Sequence, residues 1–231
     1  MKITYWSDYA CPYCYIGETR LYKALEQAGI KDAQIEMKSF ELNPSASQTV
    51  ETDTLHRFAA KYGLTLEQAQ ARIDGISLLG KREGIDFKYA TTRYTNTLDA
   101  HRLTKFAVRK LGTPIIKQVS HLLFDAYFTK NLELAKREVL LDIAKQLGLA
   151  EDEATATLNS KQFIQEVRQD EQEAAQKGIF GVPFFVFNDT YVIPGAQTTA
   201  GIVQLLQKIQ AESQPQFEQG MACGINGCGC K

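Results

Sequence analysis

The sequence predicts an α/β protein in which a βαβ unit near the start and a ββα unit near the end share one sheet, with an all-helical insertion between them. Three observations carry this expectation. β-rich runs cluster at residues 3–40 and 184–193, helical patterns repeat in the long stretch between, and each β cluster has a helical pattern beside it.

Residues 3–6 (Ile-Thr-Tyr-Trp) are a short β-rich run. After Pro12, the residues Cys14, Gly17, Leu21, Ala24, Leu25 and Ala28 share one helical face, and Gly29 stops that helix. Residues 34–40 read as a second strand, ended by Asn43-Pro44. A connection this long predicts a parallel pair with a right-handed crossover.

From 51 to 178 the strand signals nearly vanish. Thr65 and Gln68 have capping-box spacing, ahead of Ala69, Ile73, Ile76 and Gly80 on one face. Asn96 or Thr97 opens the next helix, with Ala100, Leu103, Ala107 and Leu111 inward, and Pro114 suits the first turn of another. Residues 125–131 read as a helix end and loop. Residues 136–147 form a helix ending at Gly148, and the charge-rich 161–177 one ending at Gly178, with a solvated face over 166–177. Residues 184–187 and 191–193 then flank Asn188-Asp189, a hairpin turn because both residues tolerate positive φ. Ile202, Leu205, Leu206 and Ile209 mark a last amphipathic helix.

This order is that of a thioredoxin-like fold (βαβ…ββα) interrupted by a helical insertion. The expected division is residues 1–50 and 179–213 as the two parts of the thioredoxin-like domain, 51–178 as the insertion, and 214–231 as a Cys/Gly-rich tail.

Composition narrows the function. With 44% hydrophobic and 23% charged residues among 231, the chain is globular rather than disordered, collagenous or coiled-coil. The 26 Lys+Arg and 27 Asp+Glu leave a net charge of -1, no general drive toward nucleic acid or anionic lipid. No apolar run is long enough to span a membrane, and no apolar leader precedes the first strand. The expected location is the cytoplasm, with neither nucleic acid nor membrane as a partner.

Five cysteines are too few for a disulfide-built scaffold, and their placement points to chemistry. Cys11 and Cys14 form a C-x-x-C at the start of the first helix. That spacing puts both side chains on one face, about 5–6 Å apart at Cβ, where a disulfide opens and closes with small adjustment. At the helix start, unpaired N–H groups and the helix dipole favour a thiolate on Cys11, the expected nucleophile. Cys14, one turn inside, is the expected resolving residue, and Pro12 needs no N–H in a first turn. The same spacing occurs in half a zinc knuckle, but a knuckle lies in a turn with a second pair nearby, so redox use is expected and no metal at this site.

Gly181-Val182-Pro183 stands directly before the third strand. A proline there is usually only a place where a missing N–H does no harm. Beside the C-x-x-C helix, a cis Pro183 would turn the Val182 backbone toward the sulfurs, where it pairs with an extended substrate strand.

The ordered set Tyr5-Trp6-Ser7-Asp8-Tyr9-Ala10-Cys11-Pro12-Tyr13-Cys14-Tyr15-Ile16-Gly17, Phe40-Glu41-Leu42-Asn43-Pro44, Asn96-Thr97-Leu98-Asp99-Ala100-His101-Arg102, Ala126-Tyr127-Phe128, residues 178–186 and Gly195-Ala196-Gln197 resembles the DsbA superfamily, and within it the cytoplasmic FrnE-like branch. The resemblance spans roughly residues 3–210. It implies dithiol-disulfide exchange on protein or small thiol substrates, with Cys11 attacking, Cys14 resolving and Pro183 as the cis proline. It implies Val182, Pro12 and Tyr13 as substrate contacts, no tightly bound cofactor, and glutathione as a redox co-substrate. The inner Pro12-Tyr13 is shared with dithiol glutaredoxins, whereas periplasmic DsbA has histidine second, so a reductase or isomerase is expected rather than a strong oxidant.

Cys223, Cys228 and Cys230 lie among glycines near the end of the chain. Three readings stand open: a second redox pair exchanging with Cys11 and Cys14, a thiolate site for zinc or Cu(I), and a solvated tail. His101 is expected to pack and Asn96 to cap a helix, against catalytic and substrate-contact alternatives. Trp6, Tyr9, Tyr13 and Tyr15 form a candidate apolar rim, with Tyr13 the best placed and Trp6 more naturally core. Two other functions compete with exchange. One is a glutathione-dependent isomerase or transferase like 2-hydroxychromene-2-carboxylate isomerase and the kappa-class transferases, which typically carry serine at the Cys11 position. The other is a metal-binding chaperone module.

Overall fold

β1 (Lys2–Ser7) is buried from Ile3 to its end because it has a strand on each side. It runs parallel to β2 (Gln34–Ser39) and antiparallel to β3 (Phe184–Phe187), and β4 (Tyr191–Pro194) completes the order β2-β1-β3-β4. α1 (Pro12–Gln27) makes the crossover from β1 to β2. Asn188 and Asp189 turn β3 into β4 at φ of 47° and 58°, the positive-φ hairpin that their side chains tolerate. This is a computed structural model, and it describes residues 1–213.

Successive strand residues face opposite sides of the sheet, and both sides are covered. Ile3 and Tyr5 enter the main core with Ile16 and Leu21 of α1, Phe185 of β3, and Ile202 and Leu206 of α9 (Thr199–Ser213). Trp6 enters a smaller cluster with Ala174 and Ile179, and its indole N–H donates to the Asp170 carbonyl at 3.0 Å.

Between the halves of the sheet lie α2 (Thr54–Tyr62), α3 (Leu66–Arg82), α4 (Leu98–Leu111), α5 (Ile116–Phe128), α6 (Arg137–Gln146), α7 (Glu151–Asn159) and α8 (Ile164–Gln176). The capping box forms: Thr65 Oγ1 accepts from Gln68 N at 3.2 Å, and Thr65 N donates to Gln68 Oε1 at 3.0 Å. α7 has no counterpart in the sequence reading. Its buried side chains are only Ala154, Thr157 and Leu158, too narrow a stripe to show as periodicity, while Glu151, Asp152 and Glu153 suit the positive end of its dipole.

The charged face of α8 is not wholly solvated. Asp170 is 5% exposed, accepts from Ser39 N at 2.8 Å, and pairs with Lys38 and Lys105. A single buried acid thus ties α8 and α4 to the end of β2, the strand whose outgoing loop reaches the site described next.

Candidate active site

Cys11 is the N-cap of α1, with extended backbone (φ -97°, ψ 114°) and Pro12 in the first turn. The turn delivering it is held by Cys11 N donating to the Asp8 carbonyl at 3.0 Å and Ala10 N to Asp8 Oδ1 at 3.2 Å. Cys14 N then donates back to the Cys11 carbonyl at 3.1 Å, closing the first helical turn with both sulfurs on it. Both cysteines are free thiols.

The Val182–Pro183 bond is cis, and the Cys11 thiol donates to the Val182 carbonyl at 3.6 Å. Pro183 is buried, Val182 half-buried, and Tyr13 between the cysteines is 43% exposed. Cys11 is nearly covered and Cys14 wholly so. Burial pushes the Cys14 thiol well above its ordinary pKa, and the adjacent Cys11 sulfur pushes the same way. Cys14 is therefore kept as a protonated thiol behind Cys11.

α1 meets β3 at Gly17. A Cβ there would stand 2.9 Å from Pro183 Cγ and 3.3 Å from Phe185 Cζ. Gly17→Ala is expected to destabilise the fold by about 1–3 kcal/mol through overpacking, and to lower Cys11-dependent exchange by displacing Pro183. Urea unfolding and the exchange rate check this; an unchanged midpoint would show that α1 and β3 do not need this approach.

Asp8 joins the active turn to the chain beyond β2. Its Oδ2 accepts from Leu42 N at 2.8 Å, and its Oδ1 is 3.6 Å from His101 Nε2. His101 is fully buried, its ring tilted against Tyr9 with centroids 4.9 Å apart, and neither ring nitrogen has a hydrogen-bond partner among the described residues. It packs, as expected, but against the turn that carries Cys11. The N-cap of α4 is Thr97, without a side-chain cap bond; Asn96 stands one position earlier, its Oδ1 accepting from Leu98 N at 2.9 Å and its Nδ2 donating to Glu41 Oε1 at 3.1 Å and the Pro44 carbonyl at 3.2 Å.

The aromatic rim is smaller than the sequence reading has it. Trp6, Tyr9 and Tyr15 are core residues at 1%, 0% and 7% exposure, because they alternate inward from β1, its outgoing turn and the buried face of α1. Only Tyr13 stays at the surface. A cleft of about 1160 Å³ opens over Cys11, with Tyr13, Asn43 and Val182 on the sheet side and Arg57, Phe58 and Ile76 of α2 and α3 opposite. Sequence reasoning missed the α2–α3 wall because nothing local says that this pair folds over the cysteines. Cys223, Cys228 and Cys230 lie outside the described residues, and so do the readings made of them.

A thioredoxin-type sheet with two thiols on the opening turn of α1 and an X–Pro bond facing them has the architecture of DsbA-type oxidoreductases. The chain belongs to the family described as the DSBA-like thioredoxin domain, which matches residues 2–207. A solved structure titled a probable DsbA oxidoreductase, from Streptomyces coelicolor, is similar at 32% identity and a TM-score of 0.86, covering 100% of this chain and 99% of that one. An uncharacterized Bacillus subtilis protein, YwbO, is 25% identical over 203 residues, 85% of this chain and 90% of its own length. The cytosolic disulfide reductase DsbM of Pseudomonas aeruginosa shares the fold at 14% identity and a TM-score of 0.63, over 93% of this chain and all of that one. No helix among the described residues is long and apolar enough to cross a membrane.

Proposed function

We propose that this protein catalyses thiol-disulfide exchange on protein and peptide disulfides, as a reductase or isomerase of the cytoplasm. The observation that carries the reading is the Cys11 thiol held 3.6 Å from the Val182 carbonyl at the floor of an open cleft, with Cys14 buried one turn behind it. Deprotonated Cys11 attacks one sulfur of a substrate disulfide, forming a mixed disulfide and expelling the other sulfur as a thiolate that takes up a proton. The Val182 carbonyl and Tyr13 border the place where that substrate strand lies, and the buried Pro183 and Pro12 set the backbone around it. Cys14 then loses its proton and attacks Cys11 Sγ, closing the Cys11–Cys14 disulfide and releasing the second substrate thiol. Two molecules of glutathione restore the dithiol, becoming one glutathione disulfide. Attack on the mixed disulfide by a different thiol of the substrate, before Cys14 acts, frees Cys11 and leaves a new substrate disulfide, which is isomerisation. The disulfide-reductase name of the Pseudomonas structure, and its cytosolic setting, favour the reducing direction.

Reduction of insulin in a glutathione buffer tests this. Cys11→Ser is expected to lower the rate on the order of 10³-fold or more, as removal of a nucleophile does. Cys14→Ser is expected to accumulate a covalent adduct with substrate through Cys11, visible by mass and released by dithiothreitol. Full activity in Cys11→Ser would refute the reading. Glutathione-dependent turnover of a small molecule that survives loss of Cys14 would move the protein to the isomerase and transferase class, and stoichiometric zinc shielding Cys11 from alkylation would make it a metal-binding module.

A further inference from the structure

The cleft over Cys11 has a one-sided charge. Arg57 and Lys61 of α2 and Arg72 and Arg82 of α3 line it, and no aspartate or glutamate among the described residues does, in a chain whose 26 basic and 27 acidic residues balance. Neither an ion pair nor a hydrogen-bond acceptor holds any of the four cations among the described residues, whereas Arg20, Arg102 and Arg168 all have carboxylate partners. The acids nearby are engaged elsewhere: Glu83 with Arg20 and Lys23, Asp53 with His56, and Asp74 with Gln70.

The cations are also placed. The Arg57 guanidinium stacks on the Tyr94 ring at 4.0 Å, and its buried Nε has no hydrogen-bond partner among the described residues. On α3, Arg72 and Arg82 lie on the face that carries Ile76 and Leu79, so charge brackets an apolar centre. At about 1160 Å³ the space exceeds what a single small molecule usually fills.

We infer that this cleft selects peptide segments whose disulfide is flanked by carboxylate side chains, with Arg57, Lys61, Arg72 and Arg82 reading that charge and the apolar centre seating the residues between. This rests on the exchange reading of Cys11 and names its substrate class. Cations bordering a cleft raise encounter rates with an anionic partner and disfavour a cationic one, an effect that salt screens.

The test uses two quenched peptide disulfides identical except for aspartates or lysines flanking the cystine, with the full chain at low and high ionic strength. The expected result is a kcat/KM about 10-fold or more higher for the aspartate peptide at low salt, within the range of electrostatic steering, falling toward parity near 1 M salt. The charge-reversed pair Arg72→Glu with Arg82→Glu, at two exposed positions of α3, leaves Arg57 and Lys61 balanced by two carboxylates and is expected to abolish the preference. The ratio is read within each enzyme, so a change in overall activity does not obscure it. Equal rates for the two peptides at low salt, or an aspartate preference that persists in the reversed variant, would overturn the inference while leaving exchange intact. Cleavage of neither peptide by the wild type would instead remove the exchange reading beneath it.

Discussion

Arg102→Ala is expected to cost about 3–5 kcal/mol of stability, as breaking a buried, fully engaged charge does. Arg102 is 3% exposed. Its Nε donates to the Gln162 carbonyl at 2.7 Å, and its Nη2 to the Thr157 and Ser160 carbonyls at 2.6 Å each. Its Nη1 pairs with Asp99 Oδ1 at 2.6 Å. The carbonyls belong to the last turn of α7 and the bend into α8, groups that a helix end leaves without partners. Truncation removes the donor from all of these carbonyls, the buried Thr157 one among them, and from the Asp99 carboxylate. For a chain of this length that is roughly a 10 °C fall in Tm. Arg102→Lys is expected to recover less than half of it, because an ammonium lacks the planar fork that reaches several acceptors at once. Thermal unfolding of the two variants checks this; a fall of less than about 2 °C for Arg102→Ala would mean that water or other donors satisfy the α7 end.

Glu18→Gln is expected to remove most of the loss of stability between about pH 4.5 and pH 8. Glu18 stands one turn beyond Cys14 on α1, 4% exposed, with Oε2 unpartnered among the described residues. Burial pushes its carboxyl up to about 8, with the Tyr5 and Ser120 hydroxyls opposing the shift. The folded chain therefore keeps this proton where the unfolded chain has lost it. Its contribution is whole below the ordinary carboxylate pKa and is lost as pH rises through the window up to about 8. A displacement of this size is worth on the order of 4–5 kcal/mol across the window. An amide of the same shape does not ionise, so the variant is expected to match wild type near pH 4.5 and exceed it at pH 8 to 9. Parallel stability-pH curves for the two proteins, from urea unfolding, would place the ionised carboxylate comfortably in the fold and defeat the prediction.

Much of the site is legible without coordinates because it is local. The helix start at Cys11 follows from Pro12 and the apolar face behind it, and the Asn188-Asp189 hairpin and the Thr65–Gln68 box are decided by residues within a few positions of one another. What failed to show did so for physical reasons. α7 buries too little to leave a periodic stripe, and Asp170 reads as one more surface acid until β2 and α4 are brought against it. Tyr9 and Tyr15 are as aromatic as Tyr13, and only packing separates core from rim. Asp8 and His101 are far apart in the chain, so neither announces the other.

By itself, the sequence determined the βαβ and ββα units of the sheet, the placing of two thiols on one helical turn, and a proline at the head of the third strand, since each depends on backbone preferences and side-chain spacing over short distances. Only the tertiary structure decided that Val182 faces Cys11, that Cys14 is sealed from water, and that α2 and α3 bring to the cleft four cations with no ion-pair partner among the described residues. Those outcomes depend on burial and on charges that meet across long stretches of chain, and neither quantity exists until the chain has closed on itself.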